Sequence, residues 1–209
     1  PTREAIDPIR YISNHSSGKQ GYAIAEAAVE AGAKVTLISG PTNLSVPSRV
    51  EVINIESADE MLQKTLRLID TIDIFISVAA VADFKVEAPA PSKIKKTREG
   101  NLNLTLSRTP DILLEISKLN KRNLFTVGFA AETENLITNA KRKLREKSLN
   151  LIVANNVSDS SIGFDSDLNE ITVLGHQLCK KFSKSSKQNL ARNLVAVIAE
   201  RLIQPKIYG

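Results

Sequence analysis

The chain has 209 residues, 42% of them apolar and 24% charged, and carries a net charge of +5. That is enough for one large α/β domain or two small ones with an ample core. No apolar run approaches the roughly 18 residues a membrane helix needs, and no signal peptide opens the chain, so a cytoplasmic protein is expected. The single cysteine, Cys179, excludes a disulfide framework within the chain. It lies in a Lys-rich stretch without a nearby histidine, which suits a structural role better than a nucleophile. His15 and His176 lie far apart without metal-ligand spacing, so no protein-held metal is expected. A basic balance suits nucleic acid or small polyphosphates, but aromatics are only 4% of the chain. That is too few for the stacking platforms of single-strand binders, and neither a nucleic-acid nor a membrane partner is expected.

In chain order, Asp7 to Gly21 is a polar, Ser/Gly-rich stretch leading into an Ala-rich helical pattern. That pattern runs from Gly21 to Ala31 and stops at Gly32, the expected C-cap residue. Lys34 to Ser39 reads as a buried strand and Val50 to Ile55 as a second. Ser57 to Leu68 reads as a helix whose Ser57 and Glu60 form a capping box. Asp73 to Ala79 is a third strand. Val86 to Ser107, with its prolines, the quartet Lys93 to Lys96 and the alternating Leu102 to Leu106, reads as a β-hairpin flap. Leu124 to Phe129 is a fourth strand, Thr133 to Lys147 a capped helix with a basic end, and Asn150 to Ala154 a fifth strand. Glu170 to Leu174 and Gln177 to Phe182 read as a second hairpin at the sheet edge, followed by a helix from Gln188 to Leu202. Strands alternating with helices imply an α/β, doubly wound, Rossmann-like and mostly parallel sheet, with the flap and an extra C-terminal β-hairpin appended. The whole of 1–209 reads as one domain. Such folds place a strand before the first glycine-rich turn, yet nothing apolar precedes Thr2. A missing first strand, in a processed chain or an excised domain, is therefore expected.

Several stretches can carry chemistry. The loop before the first helix suits anion binding, because backbone N–H groups and the helix N-terminus both attract an oxyanion. A structural N-cap loop is the alternative. It is not a P-loop, since Gln20 follows Lys19, nor a GxGxxG fingerprint. Asn14 can donate to and accept from an acyl phosphate. Past the third strand, the small residues Ala79, Ala80 and Ala82 allow a flat ring close to the backbone. Asp83 there can accept from a base or ribose, or can cap a helix. In a strand, Lys93 and Lys95 would share one face, where a mobile lysine can offset triphosphate charge; a solvated charge run is the alternative. Phe129 can stack on a base or pack in the core. Lys143 and Lys147 share a helix face. These stretches end predicted strands of one sheet and are expected to converge on one crevice.

In TREAIDPIRYISNHSSGKQGYAIAEAA, VTLISGPTNL, AAVADF, KIKK, TPDIL, GFAAET and LIVANNV, spanning residues 2 to about 165, the sequence resembles the phosphopantothenoylcysteine synthetase (phosphopantothenate–cysteine ligase) family. The likeness is to the C-terminal domain of the bacterial bifunctional coenzyme A biosynthesis protein. It implies a ligase that joins cysteine to 4'-phosphopantothenate through an acyl-cytidylate, with CTP yielding CMP and pyrophosphate and with Mg²⁺ accompanying CTP. By position, Asn14 is then the asparagine that handles the acyl-cytidylate, and Lys93 the flap lysine of the second half-reaction. Ala79, Asp83, Arg108, Thr109, Pro110, Asp111, Phe129, Lys143 and Lys147 fall where the family lines its nucleotide site. The resemblance also implies a homodimer. It implies FMN only for a protein that also carries the family's flavin-dependent decarboxylase domain. An NAD(P)-dependent reductase is the alternative enzyme, against which stand the lack of GxGxxG and of a Tyr-x-x-x-Lys pair. A non-catalytic nucleotide- or DNA-binding module is the alternative from another class.

Overall fold

The computed structural model describes residues 1–95, 101–121, 123–132, 135–156 and 166–203. Its elements in chain order are β1 (Arg3–Ala5), β2 (Tyr11–Ser13), α1 (Lys19–Glu30), β3 (Val35–Ser39), β4 (Val50–Asn54), α2 (Ala58–Leu68), β5 (Ile74–Ser77) and β6 (Phe84–Val86). There follow β7 (Leu106–Arg108), α3 (Ile112–Lys118), β8 (Phe125–Glu132), α4 (Leu136–Glu146), β9 (Leu151–Asn156), β10 (Leu168–Gly175), β11 (Leu178–Ser186) and α5 (Lys187–Ile203). The main sheet runs β11-β10-β9-β8-β5. Within it β5, β8 and β9 are parallel, and the β10–β11 hairpin closes one edge antiparallel, as the alternating pattern predicts.

Side chains on a strand alternate between faces, and β9 shows why the sheet must be covered on both. Leu151 and Val153 pack into a core with Ala23, Ile24 and Ala27 of α1 and Leu190, Leu194 and Val197 of α5. Ile152 and Ala154 point the other way, to Ala140 of α4 and Leu113 of α3. All four β9 residues are at most 1% exposed. Burying such a Val or Leu side chain stabilises the fold by roughly 1.5–3 kcal/mol. The doubly wound layering follows from this one apolar run.

Several boundaries depart from the sequence reading. The parallel strands do not form one ladder: β3 pairs in parallel with β4 alone, and backbone hydrogen bonds do not join β3 to β5 among the described residues. The polar segment before α1, read as a loop, folds as the antiparallel pair β1–β2. The helix α3 after Asp111 was not foreseen, because its apolar run is only seven residues long. The flap has a real hairpin base, β6 against β7, but its ladder takes Leu106–Arg108 rather than Leu102 to Leu106. Lys93 and Lys95 lie outside any strand, so the shared-face geometry does not arise, and Lys96 lies outside the described residues. At α2 the Ser57 hydroxyl accepts from Glu60 N–H at 3.2 Å, while the Glu60 carboxylate turns back to the Glu56 N–H at 2.9 Å. The Ser57 half of the capping box is thus as expected, and the return bond is displaced one residue upstream. α4 begins at Leu136 behind Asn135, which makes no side-chain cap bond. The expected opening at Thr133 falls outside the described residues.

Candidate functional site

The carboxyl end of β5 is the meeting point. Past Ser77 the chain makes a tight turn, with Val81 N–H donating to Ala79 at 3.1 Å. The Ala80 carbonyl receives two donors: the Thr2 N–H at 3.2 Å and Asn14 Nδ2 at 3.1 Å. Asn14 is thereby fixed over the strand end although it is exposed. Buried Ala82 donates its N–H to Thr2 Oγ1 at 3.0 Å, and its carbonyl accepts the Thr109 hydroxyl. Thr109 N–H donates to the Asp83 carbonyl at 3.1 Å. The five-residue stretch 79–83 and the Arg108–Asp111 stretch are therefore one unit, with the Asp83 and Arg108 side chains exposed beside it. Pro110 follows directly and sets up the start of α3.

Asp111 is the N-cap of α3, accepting from Leu114 N–H at 3.0 Å, and it receives Lys147 Nζ from α4 at 2.7 Å. Burial pulls its carboxyl upward. The Lys147 hydrogen bond, the Leu114 N–H and the charges of Lys147 and Lys143 outweigh that, and the net direction is downward. Lys143 and Lys147 thus act on the same carboxylate, as their shared helix face requires. Phe129 is half-buried on β8 and packs against the core shared with α1 and α5. Lys93 is exposed, and its neighbour Ile94 is anchored.

That anchor is a residue the sequence reading passed over. Asp7 is 3% exposed. Its Oδ1 accepts the N–H groups of Ile9 and Arg10, each at 2.9 Å, and its Oδ2 accepts Ile94 N–H at 3.1 Å and Arg10 Nε at 3.0 Å. Arg10 Nη2 completes the ring by donating to the Ile94 carbonyl at 3.1 Å. The Arg10 guanidinium, helped by the backbone N–H groups of Ile9, Ile94 and Arg10, holds the Asp7 carboxyl far below the ordinary carboxylate range against the opposing effect of burial. The β1–β2 turn and the flap segment bearing Lys93 are clamped together by this one carboxylate. The local signal was Asp-Pro followed two residues later by Arg, an Asx-turn pattern. Glu4 is a second such residue: it is 2% exposed and accepts the Ala58 N–H at the start of α2 at 2.9 Å.

At the mouth of α1, Gly18 has φ 81° and no side chain caps the first turn. A Cβ at Gly18 would lie 2.8 Å from Thr42 Cγ2, so both the backbone and the space require glycine. Lys19 is engaged by Asp167 at 2.6 Å. Two hollows of about 390 and 510 Å³ flank the 41–48 loop. The smaller lies among Tyr22, Thr42, Glu56 and Glu60, where Thr42 Oγ1 donates to Tyr22 Oη at 3.2 Å. The larger is bordered by Lys19, Glu26, Asp167 and Lys187. None of the residues matched to nucleotide binding or catalysis lines either hollow. Among the described residues no group of three His, Cys, Asp or Glu side chains is placed to hold a metal. No helix there is long and apolar enough to cross a membrane.

This arrangement was compared with known proteins. Residues 1–202 match the family described as the DNA/pantothenate metabolism flavoprotein C-terminal domain. The chain is 52% identical over 174 residues to the coenzyme A biosynthesis bifunctional protein CoaBC of Vibrio parahaemolyticus, covering 83% of this chain and 44% of that protein. With the protein of the same name from Haemophilus influenzae it is 49% identical over 201 residues, 96% of this chain and 50% of the relative. The chain therefore spans about half the length of the curated relatives it matches. A crystal structure of the C-terminal domain of CoaBC superposes with a TM-score of 0.81 at 37% identity, covering 97% of this chain and 91% of that one. A Cab2 variant in complex with phosphopantothenate-cysteine shares the fold at 15% identity, with a TM-score of 0.76 and coverage of 97% and 84%. With the family model matched over nearly its whole length, the chain belongs to the family of the C-terminal domain of DNA/pantothenate metabolism flavoproteins.

Proposed function

We propose that this chain is the phosphopantothenate–cysteine ligase domain of coenzyme A biosynthesis, using CTP. The observation that carries the reading is the Ala80 carbonyl holding Asn14 over the end of β5, beside the joined 79–83 and 108–111 stretches. In open α/β sheets that position receives ligands. The names of the bifunctional coenzyme A relatives and the phosphopantothenate-cysteine in the Cab2 complex support the choice of substrate.

A carboxylate is a poor electrophile, so the phosphopantothenate carboxylate first attacks the α-phosphate of CTP and pyrophosphate leaves. The cysteine amine then attacks the acyl carbon and CMP departs. Much of the protein's work is orientation and charge. Asn14, with one N–H committed to Ala80, keeps its other N–H to donate to the acyl phosphate. Lys93, on the segment clamped by Asp7, offsets charge as the amine attacks. Lys143 and Lys147 face the polyphosphate, Lys147 exchanging Asp111 for it. Ala79, Thr109, Pro110 and Arg108 border the nucleotide, and Phe129 supports it from the core side. Mg²⁺ carried by a triphosphate needs only one or two protein carboxylates, and exposed Asp83 fits that role. When bound, the ion withdraws charge from the leaving pyrophosphate.

The 1–209 chain acts as one ligase domain in the cytoplasm. In a bifunctional protein it adjoins a decarboxylase domain, and FMN belongs there. Homodimer formation is supported by large exposed apolar side chains: Tyr11 and Phe84 are each 48% exposed and Leu104 is 37% exposed. Grouped on a globular protein, such side chains mark an interface. The reading is tested by mixing the protein with phosphopantothenate, Mg²⁺ and each nucleotide in turn and following pyrophosphate. Release with CTP, dependent on phosphopantothenate, is expected. No release with any nucleotide would overturn the ligase reading.

A further inference from the structure

The turn that closes β1 on β2 reaches the flap, and Asn14 stands at the other end of the same hairpin. We infer, on the ligase reading above, that Asp7 is a positioning residue for the amide-forming half of the reaction. Through the backbone of Ile94 it sets where the neighbouring Lys93 stands relative to Asn14.

The two ends of the hairpin are held by separate contacts. At the open end Asn14 follows Ser13 directly. There Ser13 Oγ donates to the Thr2 carbonyl at 2.7 Å, and Asn14 Nδ2 donates to Ala80 at 3.1 Å. Neither contact involves the flap. The closed end, residues 6–10, holds the flap in three places. The Ile6 carbonyl accepts the Ala90 N–H at 2.9 Å, Asp7 Oδ2 accepts the Ile94 N–H at 3.1 Å, and Arg10 Nη2 donates to the Ile94 carbonyl at 3.1 Å. Between the ends the ladder sets Arg3 against Ser13, Glu4 against Ile12 and Ala5 against Tyr11. Lys93 is exposed, so the backbone of Ile94 is what fixes its place. Releasing Ile94 from Asp7 would therefore move Lys93 and leave Asn14 where it is.

The role needs a carboxylate. The Asp7 side chain is fully buried, so water cannot replace a lost acceptor. Its Oδ1 takes the turn's own N–H groups, from Ile9 and Arg10. Its Oδ2 meets only donors: the Ile94 N–H and two nitrogens of Arg10. An amide has one acceptor oxygen, so asparagine here satisfies the turn or the flap but not both. The turn donors lie two and three positions away and Ile94 lies 87 away, so the loss falls on the flap.

The two half-reactions place different demands on the flap. In the first, charge builds on pyrophosphate, which Lys143 and Lys147 face in the ligase reading. In the second, the cysteine nitrogen bonds to the acyl carbon and gives up a proton to water, while the bond from that carbon to the phosphate oxygen breaks and CMP leaves. A cation offsetting charge at that step acts only from the right place, since a shift of about 1 Å can cost about a hundredfold.

The test is rapid-quench analysis of Asp7→Asn with phosphopantothenate, CTP and Mg²⁺. Without cysteine, single-turnover pyrophosphate release is expected to stay within about twofold of the unsubstituted protein. With saturating cysteine, amide formation from the acyl-cytidylate is expected to slow by about tenfold or more. In a Lys93→Gln background the same substitution is expected to slow the residual amide formation no further, because residues that act through one another are not additive. Should Asp7→Asn fail to fold, Ile94→Pro removes the flap N–H and leaves the Asp7 turn intact, and the same split is expected. Equal slowing of both half-reactions, unchanged amide formation, or a further loss in the Lys93→Gln background would overturn the role of Asp7 alone. If the unsubstituted protein releases no pyrophosphate, the ligase reading and this role fall together.

Discussion

At the scale of single residues, the side chains that matter are held by backbone groups. Asn14 is oriented by one carbonyl, so its amide chemistry can be changed without disturbing a core. Asn14→Asp replaces the N–H donated to Ala80 with an oxygen that repels it. Single-turnover assays are expected to show at least about a hundredfold slower product formation, the range seen when an oxyanion donor is removed. Lys93→Gln is expected to let acyl-cytidylate accumulate instead of product, which quench-and-chromatograph analysis would detect. Unchanged turnover in both variants contradicts these roles. Asp7 gives a pH signature. Its folded pKa lies below the unfolded carboxylate value of about 3.9, so its stabilising contribution is fully present above that value. The contribution disappears as pH falls through the folded pKa. The melting-temperature difference between the protein and Asp7→Asn is therefore expected to be constant from neutral pH to about pH 5 and to shrink in stronger acid. A difference that disappears already near pH 6 contradicts the clamp. Asn14 was singled out from residue chemistry alone, as an amide in a Ser/Gly-rich stretch before α1. Asp7 was not, because its partner Ile94 lies 87 positions away and offers only backbone.

At the scale of elements, strong periodicity was readable and short or tertiary-defined pieces were not. The five parallel strands, α1, α2, α5 and the edge hairpin stand within a few residues of their patterns. The pair β1–β2 escaped because three-residue strands have no period to read, and what holds them is pairing and the buried Thr2 and Glu4. The helix α3 was hidden inside a motif recognised for its chemistry, with Asp111 serving as both cap and ion-pair partner. The entry to α1 offers a test of local geometry. Gly18→Ala must tolerate φ 81° and a 2.8 Å approach to Thr42 Cγ2. A cost of about 1–3 kcal/mol is expected from the backbone alone, read as a lower midpoint in chemical denaturation. Adding Thr42→Ser removes that methyl while keeping the hydroxyl on Tyr22. The double variant is expected to recover the steric part and not the backbone part. Full recovery, or no loss in the single variant, contradicts this account of Gly18.

At the scale of the whole molecule, helices cover both faces of the main sheet. The sheet core and the helices on both faces were legible because β8 and β9 are largely apolar runs and α5 repeats apolar residues at helical spacing, Leu190, Leu194, Val197 and Ile198. The break between β3 and β5 was not, because hydrogen-bonded order is a property of space. Contacts join Asn14, Thr109 and Asp83 to the 80–83 turn, and a separate ion pair joins Asp111 to Lys147. For Phe129 the structure shows core packing. The exposed Leu104 makes the proposed oligomer testable: Leu104→Glu is expected to convert a dimer to a monomer in sedimentation at micromolar concentration, and an unchanged dimer contradicts an interface there. The central claim is that the carboxylate is activated at the α-phosphate of CTP. Phosphopantothenate carrying ¹⁸O in its carboxylate tests it most directly, because the oxygen that attacks phosphorus leaves with it. Mass spectrometry of the products is predicted to find one ¹⁸O atom in CMP for each amide formed. Unlabelled CMP, with the label instead in inorganic phosphate, would contradict the account.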